Sequence, residues 1–226
     1  MPRRLFSIGD IHGCETALRR LLEIVPLSGN DQIVTLGDYI DRGPRSRQVI
    51  DWLIRQTELD GVIPLRGNHE VMMLEALHGE IPLPQWLQFG GDTTLNSYAP
   101  AGQAACLEDL PLSHLRFLEQ RLLPYYETET HIFVHACVSP KLPMNRQSND
   151  VLFWHRFEEM TRPHRSGKIV ICGHTAQKSG LPVNHGFAIC LDTWVYGQGW
   201  LTCLEVATGQ YWQANQAGET RAGRLP

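Results

Sequence analysis

The sequence has no long hydrophobic run, no cluster of basic residues and no cysteine framework. No apolar stretch approaches the roughly 18 to 20 residues that a membrane helix requires. No run of Lys and Arg exceeds two residues and the net charge is -4, so we expect neither a nucleic acid nor a membrane as partner. The six cysteines form no Cys-x-x-Cys pair, which argues against structural zinc and against a secreted disulfide scaffold. The Arg3-Arg4 start lacks the apolar segment of an export signal, and we predict a cytoplasmic protein.

Length and composition indicate one domain. With 226 residues, of which 42% are hydrophobic, the chain can bury one substantial core and is too short for two full domains. We therefore predict a single domain over residues 1–226. Residues 215–226 are small and polar, and we expect them to form a flexible tail.

The first half of the chain repeats a strand, a polar turn and a helix three times. The first apolar run ends in Asp10 and His12, which are two residues apart and point to the same side of an extended chain. The second and third apolar runs end in Asp38 and Asn68, and an amphipathic helical pattern follows each of them. Such units predict right-handed crossovers and a largely parallel sheet, in which sites form at the carboxyl ends of the strands.

The rest of the chain does not continue the repeated strand and helix pattern. Residues 78–129 read as short helices broken by Pro and Gly, without chemical residues of their own, and we expect them to shape one wall of a cleft. The short apolar runs that follow predict a second, more antiparallel sheet, which includes the runs 201–206 and 211–212. Two of these runs end in His135 and His174.

Six polar side chains stand at the predicted strand ends: Asp10, His12, Asp38, Asn68, His135 and His174. Each residue alone fits a purely structural role, since an Asp can cap a helix, an Asn can occupy a turn and a buried His can form a hydrogen bond to a carbonyl. Their joint occurrence at successive strand ends favours a metal centre. The mixed oxygen and nitrogen donors suit two divalent ions that share a carboxylate. The absence of thiolate favours manganese, iron or zinc over soft metals, and of these we expect manganese first.

The same residues lie in a series of ordered motifs: Gly9-Asp10-Ile11-His12-Gly13, Gly37-Asp38-Tyr39-Ile40-Asp41-Arg42-Gly43, Gly67-Asn68-His69-Glu70, His135-Ala136 and Gly173-His174-Thr175. This series resembles the motifs of the phosphoprotein phosphatase family of calcineurin-like metallophosphoesterases, in particular its bacterial and phage-type serine/threonine protein phosphatases. The resemblance spans residues from about 5 to 175. It implies an α/β fold in which two mixed β-sheets form a sandwich flanked by helices.

The resemblance also implies a role for each site residue. One metal ion takes Asp10, His12 and Asp38, and the second takes Asp38, Asn68, His135 and His174. The expected general acid is His69, oriented by Asp41, and the expected phosphate-binding residues are Arg42 and Arg156. The expected nucleophile is a hydroxide that bridges the two ions and attacks the phosphorus in line with the leaving oxygen.

Three functions compete for this site. A serine/threonine protein phosphatase, acting on a phosphorylated protein or peptide, leads because residues 78–129 offer only Arg116 and Arg121 as cations for a polyphosphate chain. The alternative is a symmetrical dinucleoside tetraphosphatase, that is, a diadenosine tetraphosphate hydrolase. A non-catalytic phosphate-binding scaffold is the least favoured, since neither a ligand nor the acid is missing.

One position departs from the resemblance. The family usually has Gly after the His-Ala pair, and this chain has Cys137. Two hypotheses follow. The thiol is either an activated, oxidisable thiolate beside the metals or a small buried side chain that fills space, and we favour the second.

Overall fold

The computed structural model describes residues 4–100 and 103–225. Within them the α-helices are α1 (Glu15–Ile24), α2 (Ser46–Glu58), α3 (Asn68–Leu77), α4 (Leu83–Trp86), α5 (Asp92–Tyr98), α6 (Leu112–Gln120) and α7 (Asn149–Trp154). The strands are β1 (Leu5–Ile8), β2 (Gln32–Thr35), β3 (Val62–Pro64), β4 (Tyr125–Glu127), β5 (His131–Val134), β6 (Ile169–Cys172), β7 (Val183–Asn184), β8 (Ala188–Cys190), β9 (Asp192–Thr193), β10 (Trp200–Glu205), β11 (Gln210–Ala214) and β12 (Thr220–Arg224). A π-helical turn, Leu87–Gly91, joins α4 to α5. None of the helices in the two described ranges has the length and apolar content needed to cross a bilayer.

The first sheet has seven strands in the order β12-β11-β10-β1-β2-β3, with β9 paired to β10. Strands β1, β2 and β3 run parallel, as the three strand and helix units predict. Strand β10 pairs antiparallel with β1, so that Phe6 lies opposite Glu205, and β11 pairs antiparallel with β10. The sheet is therefore mixed, and the assignment of runs 201–206 and 211–212 to the second sheet is wrong. An apolar run predicts a strand, but it does not indicate which sheet edge that strand will join.

The second sheet has five strands in the order β4-β5-β6-β8-β7. Its central strands β5, β6 and β8 are parallel, and antiparallel β4 and β7 flank them. The prediction that this sheet is the more antiparallel one is therefore wrong, because strands β9 to β12 place most antiparallel pairings in the first sheet. Side chains from both sheets share one buried apolar cluster, in which Val34 and Leu204 of the first sheet meet Phe133 and Ile171 of the second. Two mixed sheets packed face to face, with helices outside them, confirm the predicted α/β sandwich.

The helices pack on the sandwich through one apolar face each. In α1 the buried residues Ala17, Leu18 and Leu21 recur at helical spacing, while the charged residues of the same helix remain outside. Helix α3 differs, because it also buries polar residues, among them Asn68 and His69 of its first turn. Because burial of polar groups is costly, the buried polar start of α3 indicates a candidate functional site.

Within the segment 215–226, predicted as a flexible tail, residues 220–224 form strand β12, and residue 226 lies outside the described residues. Strand β12 pairs with β11 over its whole length, with Ala222 opposite Trp212. The Arg221 guanidinium lies 4.2 Å from the centre of the Trp200 ring and donates to the carbonyl of Gly180 at 2.6 Å. Pairing and stacking with distant residues order this segment, although its own small polar residues carry no such signal.

Candidate metal centre

The motif residues meet because they follow neighbouring strand ends. The turns after β1, β2 and β3 bring one set, and the ends of β5 and β6 bring His135 and His174 to the same edge of the sandwich. The backbone there is strained. Five motif residues have a left-handed φ between 47° and 70°, namely His12, Asp38, Asp41, Arg42 and His174. Residues with a Cβ adopt this conformation rarely, and such strain is typical of functional sites.

Asp38 is the shared member of two clusters of possible metal ligands. The first cluster joins it to His12 and His69, and the second joins it to His135 and His174, with all ligand atoms of a cluster within 4.8 Å of one another. The carboxylate oxygens divide between the clusters, since Oδ2 lies 3.4 Å from His12 Nε2 and Oδ1 lies 3.5 Å from His135 Nε2. One carboxylate that faces two sets of nitrogen donors is the arrangement expected for a bridging ligand.

Each of three histidines has one ring nitrogen held by a backbone carbonyl. His12 Nδ1 donates to Ile40 at 2.9 Å, and His135 Nδ1 donates to Leu36 at 2.8 Å. In His174 it is Nε2 that donates, to the carbonyl of Trp154 at 3.2 Å. A carbonyl can only accept, so the proton is on that nitrogen and the other nitrogen carries a lone pair. Outer hydrogen bonds of this kind orient the histidine ligands of metal ions.

Three electron-pair donors, one nitrogen each of His135 and His174 and the side-chain oxygen of Asn68, face one another with no hydrogen between them, and this arrangement suits a cation. Burial lowers the pKa of His135, and it lowers the pKa of His174 to about 4, so both rings are neutral near pH 7. Their lone-pair nitrogens lie 2.8 Å and 3.0 Å from Asn68 Oδ1, which is also an acceptor. A divalent ion between these three atoms would replace the repulsion of lone pairs with coordination. The observed residues therefore suit a metal.

Asp10 lies beside the two clusters without belonging to either. Its carboxylate accepts the backbone N–H of His174 at 2.9 Å. Burial raises the pKa of Asp10, and the charges of Asp192 and Asp38 raise it further. Burial also raises the pKa of Asp192 to about 6. Three buried carboxylates close together are costly to ionise, and bound cations would remove that cost.

Asp192 was not among the predicted site residues, although the sequence carries a signal for it. It follows directly after the apolar run 187–191, as the predicted ligands follow theirs. Its Oδ1 accepts the backbone N–H of Trp194 at 3.0 Å, which closes the turn after β9. A polar residue that directly follows an apolar run is the signal that identifies Asp10 and His174, and the same signal would have identified Asp192.

Glu70 is a second residue whose role sequence reasoning did not assign. Its buried carboxylate accepts the backbone N–H groups of Gly67, Asp38 and Tyr39 at 2.8 to 2.9 Å. It therefore ties the turn after β2 to the first turn of α3. Gly67 is required there, because a Cβ at this position would overlap Oδ1 of Asp38.

His69 and Asp41 form the pair expected of a general acid and its orienting carboxylate. His69 Nδ1 lies 2.6 Å from Asp41 Oδ2, and both side chains are buried. Burial alone would lower the pKa of His69, but the carboxylates of Asp38 and Asp41 outweigh it and the pKa is raised. Asp41 also receives hydrogen bonds from Trp86 and Thr94, in the part of the chain expected only to shape a wall.

The two arginines predicted to bind phosphate lie in different surroundings. Arg42 Nη1 is 2.9 Å from His12 Nε2, and the guanidinium lies 4.3 Å from the centre of the Tyr196 ring. The side chain of Arg156 is 70% exposed and its Nε pairs with Glu158 at 3.4 Å. The structure thus brings Arg42 to the centre, whereas it directs Arg156 to a surface ion pair.

The environment of Cys137 favours the packing hypothesis over the redox one. The side chain is buried and its thiol donates to the carbonyl of Arg156 at 3.0 Å. Burial raises the pKa of Cys137 to about 12. A thiol that stays protonated is a poor nucleophile and is slow to oxidise.

Family comparison accounts for this arrangement. The sequence profile of the calcineurin-like phosphoesterases matches residues 3–191. The chain belongs to that family. Members of the family use divalent metal ions, which agrees with the two clusters around Asp38.

Two curated relatives of this phosphoesterase carry different names. A symmetrical bis(5'-nucleosyl)-tetraphosphatase of Paracidovorax citrulli is 43% identical over 76 residues, which is 33% of this chain and 26% of the relative. Serine/threonine-protein phosphatase 1 of Salmonella typhimurium is 37% identical over 136 residues, which is 59% of each chain. The chain thus spans between about a quarter and three fifths of the length of these relatives.

Solved structures of low sequence identity share the fold. A protein provisionally described as a diadenosine tetraphosphatase superimposes with a TM-score of 0.68 at 21% identity, over 99% of this chain and 94% of that one. A serine/threonine phosphatase from Saccharomyces cerevisiae superimposes with a TM-score of 0.63 at 13% identity, over 98% of this chain and 80% of that one. At such identities the likeness concerns the fold alone.

Proposed function

We propose that this metallophosphoesterase cleaves symmetrical dinucleoside tetraphosphates into two nucleoside diphosphates. The observation that carries a phosphoryl-transfer function is the position of Asp38 between two histidine clusters, with Arg42 beside them. The substrate class rests on the sequence comparisons, in which the tetraphosphatase name accompanies the relative of 43% identity. The sequence alone favours the serine/threonine protein phosphatase over the tetraphosphatase, and the comparisons reverse that preference.

The residues of the centre have separate tasks in this proposal. The first metal would be held by Asp10, His12 and Asp38, and the second by Asp38, Asn68, His135 and His174. Two divalent cations bound there would lower the pKa of a water molecule and would neutralise charge on the phosphoryl oxygens. Arg42, held over Tyr196, binds a phosphoryl oxygen through its guanidinium. His69 Nε2 delivers a proton to the leaving oxygen while Asp41 holds Nδ1.

A phosphoserine and phosphothreonine phosphatase is the second candidate, and the dyad is the observation that favours it. An alkoxide is a much poorer leaving group than a nucleoside diphosphate, so it depends more on an acid such as His69. A groove of about 580 Å³ between α3 and α7 also carries three glutamates, Glu75, Glu80 and Glu119, against one arginine, Arg66, so that its net negative charge opposes a polyphosphate. Trp154 lines the same groove, and its carbonyl contacts His174, which places the groove next to the centre.

A side-by-side assay with Mn²⁺ decides between the candidates. We expect kcat/KM for diadenosine tetraphosphate to exceed that for a phosphothreonine peptide by about 10-fold or more, a transition-state preference of roughly 1.4 kcal/mol. Chromatography should show ADP as the sole nucleotide product. The opposite preference would promote the protein phosphatase, and formation of ATP and AMP would contradict symmetrical cleavage. Absence of turnover with both substrates would overturn the proposal altogether.

A further inference from the structure

The carboxylate of Asp41 has more hydrogen-bond donors than an orienting group for one histidine needs. Oδ2 receives His69 Nδ1 at 2.6 Å and Trp86 Nε1 at 3.0 Å. Oδ1 receives the Thr94 hydroxyl at 2.6 Å and a longer bond of 3.2 Å from the same indole. The side chains of Asp41, Trp86 and Thr94 are all fully buried. Rotation of the carboxylate would therefore break several bonds at once among side chains that are closed off from bulk solvent.

Thr94 also holds the backbone of Asp41. Its hydroxyl oxygen accepts the backbone N–H of Asp41 at 2.8 Å while its proton goes to the carboxylate of the same residue. This second bond matters because Asp41 has a left-handed φ of 69°, a conformation that does not persist without support. One threonine hydroxyl therefore holds both the strained backbone and the side chain of Asp41.

A break in the helix brings Trp86 and Thr94 to the same target. In an unbroken α-helix, residues eight positions apart would point about 80° away from each other. Here the π-helical turn Leu87–Gly91 contains Gly90 at φ 105°, which interrupts the helix between them. Gly91 leaves room for the indole, since a Cβ there would overlap the Trp86 ring.

We propose that Trp86 and Thr94 are positioning residues for proton transfer, which act by holding Asp41 and, through it, the His69 ring. The inference rests on the proposed role of His69 as general acid. With Nδ1 bonded to Asp41, the Nε2 atom of His69 faces the centre and lies 4.0 Å from Asp38 Oδ2. Loss of either donor would let the carboxylate turn and misalign the ring, without removing any metal ligand or the acid itself.

The competing explanation is that both side chains serve packing alone. A buried indole N–H needs some acceptor, and a buried threonine hydroxyl needs a partner. Conservative variants separate the two explanations. Trp86→Phe keeps an aromatic ring in place and removes the donor. Thr94→Val keeps the shape and removes both bonds to Asp41, whereas Thr94→Ser restores the hydroxyl.

The experiment compares two aryl phosphates that differ in leaving group, 2,4-dinitrophenyl phosphate and phenyl phosphate, in the Mn²⁺-loaded protein. For Trp86→Phe and Thr94→Val we expect kcat with phenyl phosphate to fall roughly 10- to 100-fold, and kcat with the dinitrophenyl ester to change by less than about 3-fold. Thr94→Ser should recover most of the loss. Tyr98→Phe is the matched control, because it removes a buried hydrogen bond to His114 from the same helix α5 without touching Asp41.

A second readout does not depend on turnover. In the wild type, the His69 Nδ1 proton bonded to Asp41 should give a far-downfield proton resonance, which Thr94→Val should shift or broaden and Tyr98→Phe should leave unchanged. Equal losses with both esters, or no loss with either, would overturn the positioning role. An unchanged His69 resonance in Thr94→Val would do the same. Failure of the tetraphosphatase proposal has a different signature, namely a wild type that cleaves the aryl esters and the phosphopeptide but not diadenosine tetraphosphate.

Discussion

The motif turns of the first half and segment 83–98 contribute to the same centre in different ways. The turns after β1, β2 and β3 supply side chains that bind or react, each within a few residues of a strand end. Segment 83–98, made of α4, the π-helical turn and α5, supplies none of these, yet it bonds to Asp41 from 45 and 53 positions away. Local motifs thus provide the chemistry, while a distant segment without a motif holds it in place.

The largest expected effect lies in the motif turns. Asp38→Asn should weaken both metals, because the bridging oxygen loses its charge, and should lower kcat by at least about 10³-fold. Metal content by mass spectrometry should fall below one ion per chain. Circular dichroism serves as the control that the fold persists. Retention of full activity in this variant, or in metal-stripped wild type, would contradict the metal centre.

The next effect separates the acid from the ligands. His69 belongs to one ligand cluster and also to the dyad with Asp41, so its two possible roles need a direct test. We expect His69→Asn to retain two metals per chain and to slow hydrolysis of phenyl phosphate by roughly 10²- to 10⁴-fold, with a smaller loss for the dinitrophenyl ester. A variant that has lost one metal would make His69 a ligand instead.

These two effects concern residues that the sequence identifies. The parallel order of β1 to β3 and the turns after them follow from apolar runs that end in polar residues, and this signal is local. Asp192 obeys the same rule and was overlooked. The pairing of β10 with β1, the ordering of β12 and the contacts of Trp86 with Asp41 are long-range, so no local pattern reveals them. The surface ion pair of Arg156 is equally a property of the folded chain.

A smaller effect is expected from the break in segment 83–98. Gly90→Ala places a Cβ 2.6 Å from the backbone nitrogen of Arg42, at a φ of 105°. We expect kcat/KM to fall about 10-fold, since a shift of Arg42 weakens the contact with a phosphoryl oxygen. Gly79→Ala is the matched control, because Gly79 has a φ of 74° with no atom within 4 Å of the added Cβ.

Thermal unfolding completes that comparison. Gly79→Ala should lose about 1 kcal/mol of stability from the left-handed backbone, Gly90→Ala should lose more because its Cβ also overlaps the Arg42 backbone, and only Gly90→Ala should lose activity. If both variants kept wild-type kcat/KM, the segment would have no part in placing Arg42.

The smallest effect concerns the ring beneath Arg42. The Tyr196 ring supports the guanidinium and meets His12 edge-on, with ring centres 4.8 Å apart. Tyr196→Leu should lower kcat/KM roughly 3- to 10-fold, the range expected for one cation–π contact. Tyr196→Phe keeps the ring and should stay within about 2-fold of wild type. A large loss in the phenylalanine variant would instead show that the Tyr196 hydroxyl, and not the ring, contributes to catalysis.

The most direct test of the two-metal centre is an anomalous difference map from crystals grown with Mn²⁺. We predict two peaks, one on either side of the Asp38 carboxylate, the first near His12 and the second between His135 and His174. A single peak, or two peaks that do not both contact Asp38, would contradict a centre in which this carboxylate is shared.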